Sequence, residues 1–98
     1  MIYNLELHEL AEEELWETVD YYDAHKDRLG KKFVRELQRI MQLTRSQPEL
    51  FPKILGEKRK AVLKRFPYLI IFEIVENTIF VLAIFHEKRN PKVWKDRS

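Results

Sequence analysis

The chain opens on an alternation. Tyr3, Leu5 and Leu7 take one phase and Ile2, Asn4 and Glu6 the other, the period of a half-buried strand over residues 2–7. From residue 9 the period lengthens. Ala11, Leu15, Val19 and Tyr22 recur at helical spacing, while Glu12, Glu13, Glu14, Glu17, Asp20 and Asp23 fill the remaining positions. This predicts a helix over 9–26, favoured further by carboxylates in its first turns, which complement the helix dipole. Residues 25–30 read as a turn. A second stripe of Leu29, Phe33, Leu37, Ile40 and Thr44, widened by Val34 and Met41, predicts another helix. It stops at Gln47-Pro48, because a residue before proline is pushed out of the α region. Two amphipathic helices joined by a few residues should pack antiparallel.

Past Pro48 the pattern becomes irregular, and residues 48–56 read as a loop with Leu50, Phe51, Ile54 and Leu55 available to pin it. Residues 57–65 (EKRKAVLKR) predict a basic strand in which neither face is cleanly apolar; lysines on such a strand also protect an edge. Pro67, lacking an N–H, belongs at the mouth of the next strand, 68–75, which is apolar on both faces as a covered central strand would be. Glu76-Asn77 turns this strand back into 79–85, a hairpin. The tail from His86 is polar and basic apart from Val93 and Trp94, and Trp94 is the expected anchor that folds it back. The expected fold is therefore α+β: an N-terminal strand, then an antiparallel helical hairpin on one face of a mainly antiparallel sheet that ends in a three-strand meander. A chain of 98 residues is expected to form a single domain over 1–98.

Charge adds a polarity to this picture. Residues 1–50 carry 7 Lys/Arg against 11 Asp/Glu, a balance of −4, and residues 51–98 carry 11 against 5, a balance of +6. A basic half implies a surface for an acidic partner, either nucleic acid or an acidic protein segment. If the meander strands are neighbours, Lys58, Arg59, Lys60, Lys64 and Arg65 share one end of the sheet with Lys88 and Arg89. Together these seven form a candidate partner-binding patch. The chain has no cysteine, so disulfides and thiolate chemistry are excluded. No apolar run approaches the roughly 18 residues of a membrane span, so a soluble, cytoplasmic protein without a membrane partner is expected.

Catalytic candidates are few. Ser46 and Ser98 are the serines and Gly30 and Gly56 the glycines, which leaves no plausible hydrolase triad and no phosphate-cradling loop. His8-Glu9-Leu10-Ala11-Glu12 begins like a zinc-protease helix but has Glu12 where the second histidine belongs, so no metal and no cofactor is expected. RNA cleavage would draw on Arg65 and Arg89 to neutralise phosphate and on His86 to move a proton near pH 7.

Several spaced motifs carry a resemblance. They are Leu29-Gly30…Phe33…Leu37, Pro48…Phe51-Pro52, Arg65-Phe66-Pro67-Tyr68-x-Ile70-x-Phe72, and Ile79-x-Val81-Leu82-Ala83-Ile84-x-His86-x-x-Arg89-x-Pro91-x-x-Trp94. Over residues 2–94 the chain resembles the RelE/ParE toxin superfamily, and its Phe-Pro-Tyr corner and closing motif are most similar to the ParE-like branch of plasmid-stabilisation proteins. The resemblance implies the toxin of a type II toxin–antitoxin pair, with a helical hairpin packed on an antiparallel sheet. It also implies neutralisation by a small cognate antitoxin whose C-terminal segment wraps around the toxin. ParE-like members are associated with poisoning of DNA gyrase, and RelE-like members are ribosome-dependent endoribonucleases that cut mRNA. RelE-type ribonucleases carry an arginine directly after the strand tyrosine, where this chain has Leu69, and another near Glu87. Their C-terminal aromatic would be matched by Trp94, whose indole cannot act as a phenol does in proton transfer. Lys60 and Lys64 keep the lysines in kind. The expected function is thus a non-enzymatic, ParE-like toxin; a RelE-like ribonuclease using Arg65, His86 and Arg89, or a non-toxic relic of the family, are the alternatives. The oligomeric state is left open.

Overall fold

The computed structural model describes residues 2–98. The chain passes through β1 (Asn4–Leu7), α1 (Glu9–His25), α2 (Leu29–Ser46), β2 (Lys53–Leu55), β3 (Lys58–Val62), β4 (Tyr68–Val75) and β5 (Thr78–His86), with short 3-10 turns at Pro48–Leu50 and Pro91–Val93. Among the described residues the strands form a five-stranded sheet in the order β1-β5-β4-β3-β2. β1 runs parallel to β5 and every other pairing is antiparallel. The α+β architecture expected from the sequence is the one observed.

Local chemistry explains where the helices begin and end. His8 caps α1, its Nδ1 accepting the Leu10 N–H at 3.0 Å. The interhelical turn closes through Asp23, whose carboxylate accepts the Gly30 N–H at 2.9 Å. A Cβ at position 30 would collide with that same carboxylate, so a larger residue there would push the Asp23 side chain aside and disturb this bond. α2 ends at Ser46, two residues before Pro48, with the Gln47 N–H bonded to the Leu43 carbonyl at 2.9 Å. Its buried residues, Gly30, Phe33, Leu37, Ile40, Met41 and Thr44, form the face that meets the sheet.

Two corrections concern the meander. Residues 53–55, read above as loop, form β2, so the meander has four strands and β2 is its edge. Three exposed residues give no period to read, and the strand exists only through an irregular pairing of Lys53 with Arg59 and Leu55 with Lys58. The basic strand ends at Val62 rather than at residue 65, because the chain bends through 64–67 to reach the mouth of β4. Leu63 N–H donates to the Tyr68 carbonyl at 3.0 Å across that bend, and Tyr68 N–H to the Phe66 carbonyl at 2.7 Å around Pro67.

Strand β5 changes phase along its length. Ile71 pairs with Ala83 but Phe72 pairs with Val81, which leaves Leu82 as an extra, bulged residue. Before the bulge Ile79 and Val81 face the helices; after it Ile84 does. Leu82, Ala83 and Phe85 face the other way, into a second apolar cluster with Ile71 and Trp94. The C-terminal tail therefore covers part of the sheet face opposite the helices.

The helix-side core is aromatic at one end. Phe33 is fully buried, with ring centroids of Phe66 and Tyr68 each 5.3 Å away and that of Tyr22 at 5.6 Å. Replacing Phe33 with alanine empties the centre of this cluster and should lower stability by about 3–5 kcal/mol. That is a large share of the roughly 5–15 kcal/mol typical of a domain, and chemical denaturation of Phe33→Ala would measure it.

Candidate functional site

The sheet face away from the helices carries an open groove of ≈ 640 Å³. Its floor is apolar: Leu69 and Ile71 from β4, Phe85 from β5, and Trp94 from the tail. Trp94 stands edge-on to Phe85, centroids 6.1 Å apart, and is 6% exposed. Ile54 and Leu55 of β2 contribute further apolar wall, and Lys60, Arg89, Lys92 and Lys95 line the groove with cations against the carboxylate of Glu87. An apolar floor inside a positive rim suits an anionic partner that also presents apolar side chains. Leu69, Glu87 and Trp94, the positions where the chain departs from the RelE-type pattern, all line this groove.

A smaller cleft of ≈ 170 Å³ opens on the helix side, where α1 meets the end of β5. Glu17, Tyr21, Tyr68, His86 and Arg89 line it. The bulge in β5 explains why His86 is here: it brings His86 opposite Tyr68, with ring centroids 5.1 Å apart, instead of onto the groove face. His86 Nδ1 accepts the Lys88 N–H at 3.1 Å, so this nitrogen serves the turn. Nearby, burial raises the Tyr22 phenol above its usual range, with Tyr68 and then Tyr21 adding to the effect, so no phenolate forms there at neutral pH.

The seven cations singled out in the sequence take different places. Lys58 forms a largely shielded ion pair with Glu73 at 3.3 Å. Arg59 shares the helix-side face with its partner Phe72, and its Nη1 donates to the Phe51 carbonyl at 2.7 Å. Lys60 and Arg89 come together on the groove. Lys64 and Arg65 are exposed in the bend before β4, where the Arg65 N–H donates to Glu36 Oε2 at 3.0 Å. Lys88 is exposed in the turn after β5. Of the ribonuclease candidates, His86 and Arg89 share the helix-side cleft, and Arg65 does not line it.

Sequence reasoning missed Lys92 and Lys95, whose three-residue spacing around Trp94 was the available signal. It also missed Glu57, held below the usual glutamate range by a hydrogen bond from Lys53, which ties the β2–β3 turn. Among the described residues no group of His, Cys, Asp and Glu is arranged to hold a metal ion, and no helix is long and apolar enough to cross a membrane.

A helical hairpin on one side of a five-stranded sheet, with a basic groove on the other, defines a small α+β domain. Residues 5–91 match the family described as "ParE toxin of type II toxin-antitoxin system, parDE", and the chain belongs to that family. It is 25% identical over 92 residues to Toxin ParE2 of Mycobacterium tuberculosis, from strain CDC 1551 / Oshkosh and from strain ATCC 25618 / H37Rv alike, spanning 93% of this chain and 88% of the relative. Its fold is similar to a chain of the solved structure "Chromosomal ParDE TA system from P. aeruginosa", with a TM-score of 0.76 and 18% identity over 87% of this chain and 96% of that one.

Arg59 is tied to the Phe51 carbonyl by a charged hydrogen bond. Arg59→Ala should cost about 1.5 kcal/mol of stability, the net worth of a charged hydrogen bond, as a shift in denaturation midpoint.

Proposed function

We propose that this ParE-family toxin acts by binding an essential macromolecular target, DNA gyrase first among the candidates. In this reading a cognate antitoxin silences it by occupying the basic groove. The observation that carries the proposal is the groove's composition. At the positions where RelE-type ribonucleases would hold phosphate with arginines, this groove presents Leu69 and Glu87, and a carboxylate there repels a phosphate. An apolar floor ringed by Lys60, Arg89, Lys92 and Lys95 suits instead a protein segment that is acidic and studded with apolar side chains. A segment disordered when free would lose entropy on ordering, and in exchange could cover both the floor and the rim.

A ribonuclease is the second reading, supported by the shared cleft of His86, Arg89 and Tyr68. Induced expression separates the two. The target-binding reading expects inhibited gyrase supercoiling with intact transcripts; new cleavage sites within codons, mapped on mRNA, would replace it with the ribonuclease.

The groove makes its own prediction. Reversing charge with Lys60→Glu and Arg89→Glu together should slow association with the purified antitoxin about tenfold at low salt and flatten its salt dependence. Stopped-flow rates across ionic strength give both quantities, and unchanged rates at low salt would remove the groove's electrostatic role.

A further inference from the structure

The tail beyond residue 91 lies outside the family match, and a buried ion pair fastens it to the first helix. Arg97 Nη1 donates to Glu14 Oε1 at 2.8 Å, and Nη2 to Glu14 Oε2 at 3.0 Å. Both side chains are nearly enclosed, 10% and 11% exposed. A bidentate pair in such surroundings is directional and hard to replace with a single point charge.

Each partner also bonds to β5. Glu14 Oε1 accepts the Ile84 N–H at 3.1 Å, and Arg97 Nη1 donates to the Leu82 carbonyl at 3.0 Å. The pairing of β1 with β5 ends at Leu7 opposite Val81, so these are backbone groups just past the reach of β1. Side chains from α1 and the tail thus satisfy a stretch of strand edge beside the bulge, where a neighbouring strand would otherwise be needed. Removing either partner leaves the other as an enclosed charge without its counterion, so each depends on the other to stay seated.

The tail between the groove and this clamp carries Lys92, Trp94 and Lys95. We infer that Glu14 and Arg97 are positioning residues for the partner surface. They touch no partner themselves, but by clamping the tail they hold Lys92, Trp94 and Lys95 in place as one wall of the groove. The inference rests on the reading that the groove is where the partner binds. With the clamp open, Trp94 leaves Phe85 and the groove keeps only what the sheet supplies, chiefly Leu69, Ile71 and Lys60.

The test uses the full chain in a Trp16→Phe background, which leaves Trp94 as the one tryptophan. The probe is a fluorescein-labelled synthetic peptide alternating glutamate and leucine. Arg97→Ala should red-shift Trp94 emission and raise its quenching by acrylamide severalfold, while far-UV circular dichroism and cooperative unfolding persist. The same variant should weaken peptide binding about tenfold. Arg97→Lys and Glu14→Gln, which each keep part of the hydrogen bonding, should fall between wild type and Arg97→Ala in both readouts. Lys60→Glu should weaken the peptide without moving Trp94 emission. If Lys60→Glu weakens the peptide and Arg97→Ala does not, the clamp has no positioning role and the groove reading stands. If neither weakens it, the groove reading fails and carries this inference with it. Unchanged Trp94 emission in Arg97→Ala would overturn the clamp directly.

Discussion

Strand β5 is buried on both faces, and the rest of the molecule follows from how that burial is achieved. Ile79, Val81 and Ile84 pack under the helices, while Leu82, Ala83 and Phe85 pack on the opposite side with Ile71 and Trp94. A regularly pleated strand would send alternate residues to each face throughout. The bulge at Leu82 interrupts that alternation and puts two consecutive residues, Leu82 and Ala83, on the outer face. It also turns His86 toward α1 and away from Lys60 of β3. The separation of groove from cleft is thus a consequence of one extra residue in a strand.

The same bulge lies beside a stretch of strand edge that β1 does not reach. Unpaired backbone groups at a buried edge are expensive, each costing about 1–3 kcal/mol if left unmatched. Glu14 and Arg97 meet two of them and neutralise each other. A local requirement of the backbone therefore recruits the first helix and the last residues of the chain to one place. The tail must cross the outer face to get there, and in crossing it builds the groove. In the proposed reading, structural need and partner surface share the same residues here, so stability and binding need not vary independently.

Much of the fold was legible in the sequence because period and punctuation agree: the stripe of α2, proline at 48 and at 67, and the short turn at Glu76-Asn77. The parts that were not legible depend on partners far away in sequence. β2 has three exposed residues and is a strand only because β3 lies beside it. The bulge cannot be read from a run such as Thr78–His86, in which almost every residue is apolar and either phase satisfies the pattern. Residue types did single out Lys60 and Arg89, which line the groove, but gave no means of separating them from Lys58 and Arg59. What separates those pairs is Glu73 and the Phe51 carbonyl, and neither is near its partner in a way that spacing reveals. In the helical pattern Glu14 is one of several carboxylates that fill the positions between the apolar residues of α1. Its partner Arg97 lies 83 positions away.

As the proposed partner surface, the groove divides its labour according to distance and solvent. Lys60 is half-buried, and Arg89, Lys92 and Lys95 are exposed to water. A unit charge pair at 4 Å is worth about 1 kcal/mol in water, and salt at physiological strength screens it within about 8 Å. Cations of this kind guide an approaching anion and set the rate of encounter, while adding little to the lifetime of the complex. The floor works the other way. Each leucine-sized side chain that a partner buries against Leu69, Ile71, Phe85 and Trp94 is worth about 1.5–3 kcal/mol and is nearly indifferent to salt. Duration of binding must therefore come from the floor. Trp94, one of the two aromatic residues lining that floor, belongs to the tail, so in the proposed reading how long a partner stays depends on a segment that the sheet by itself does not hold.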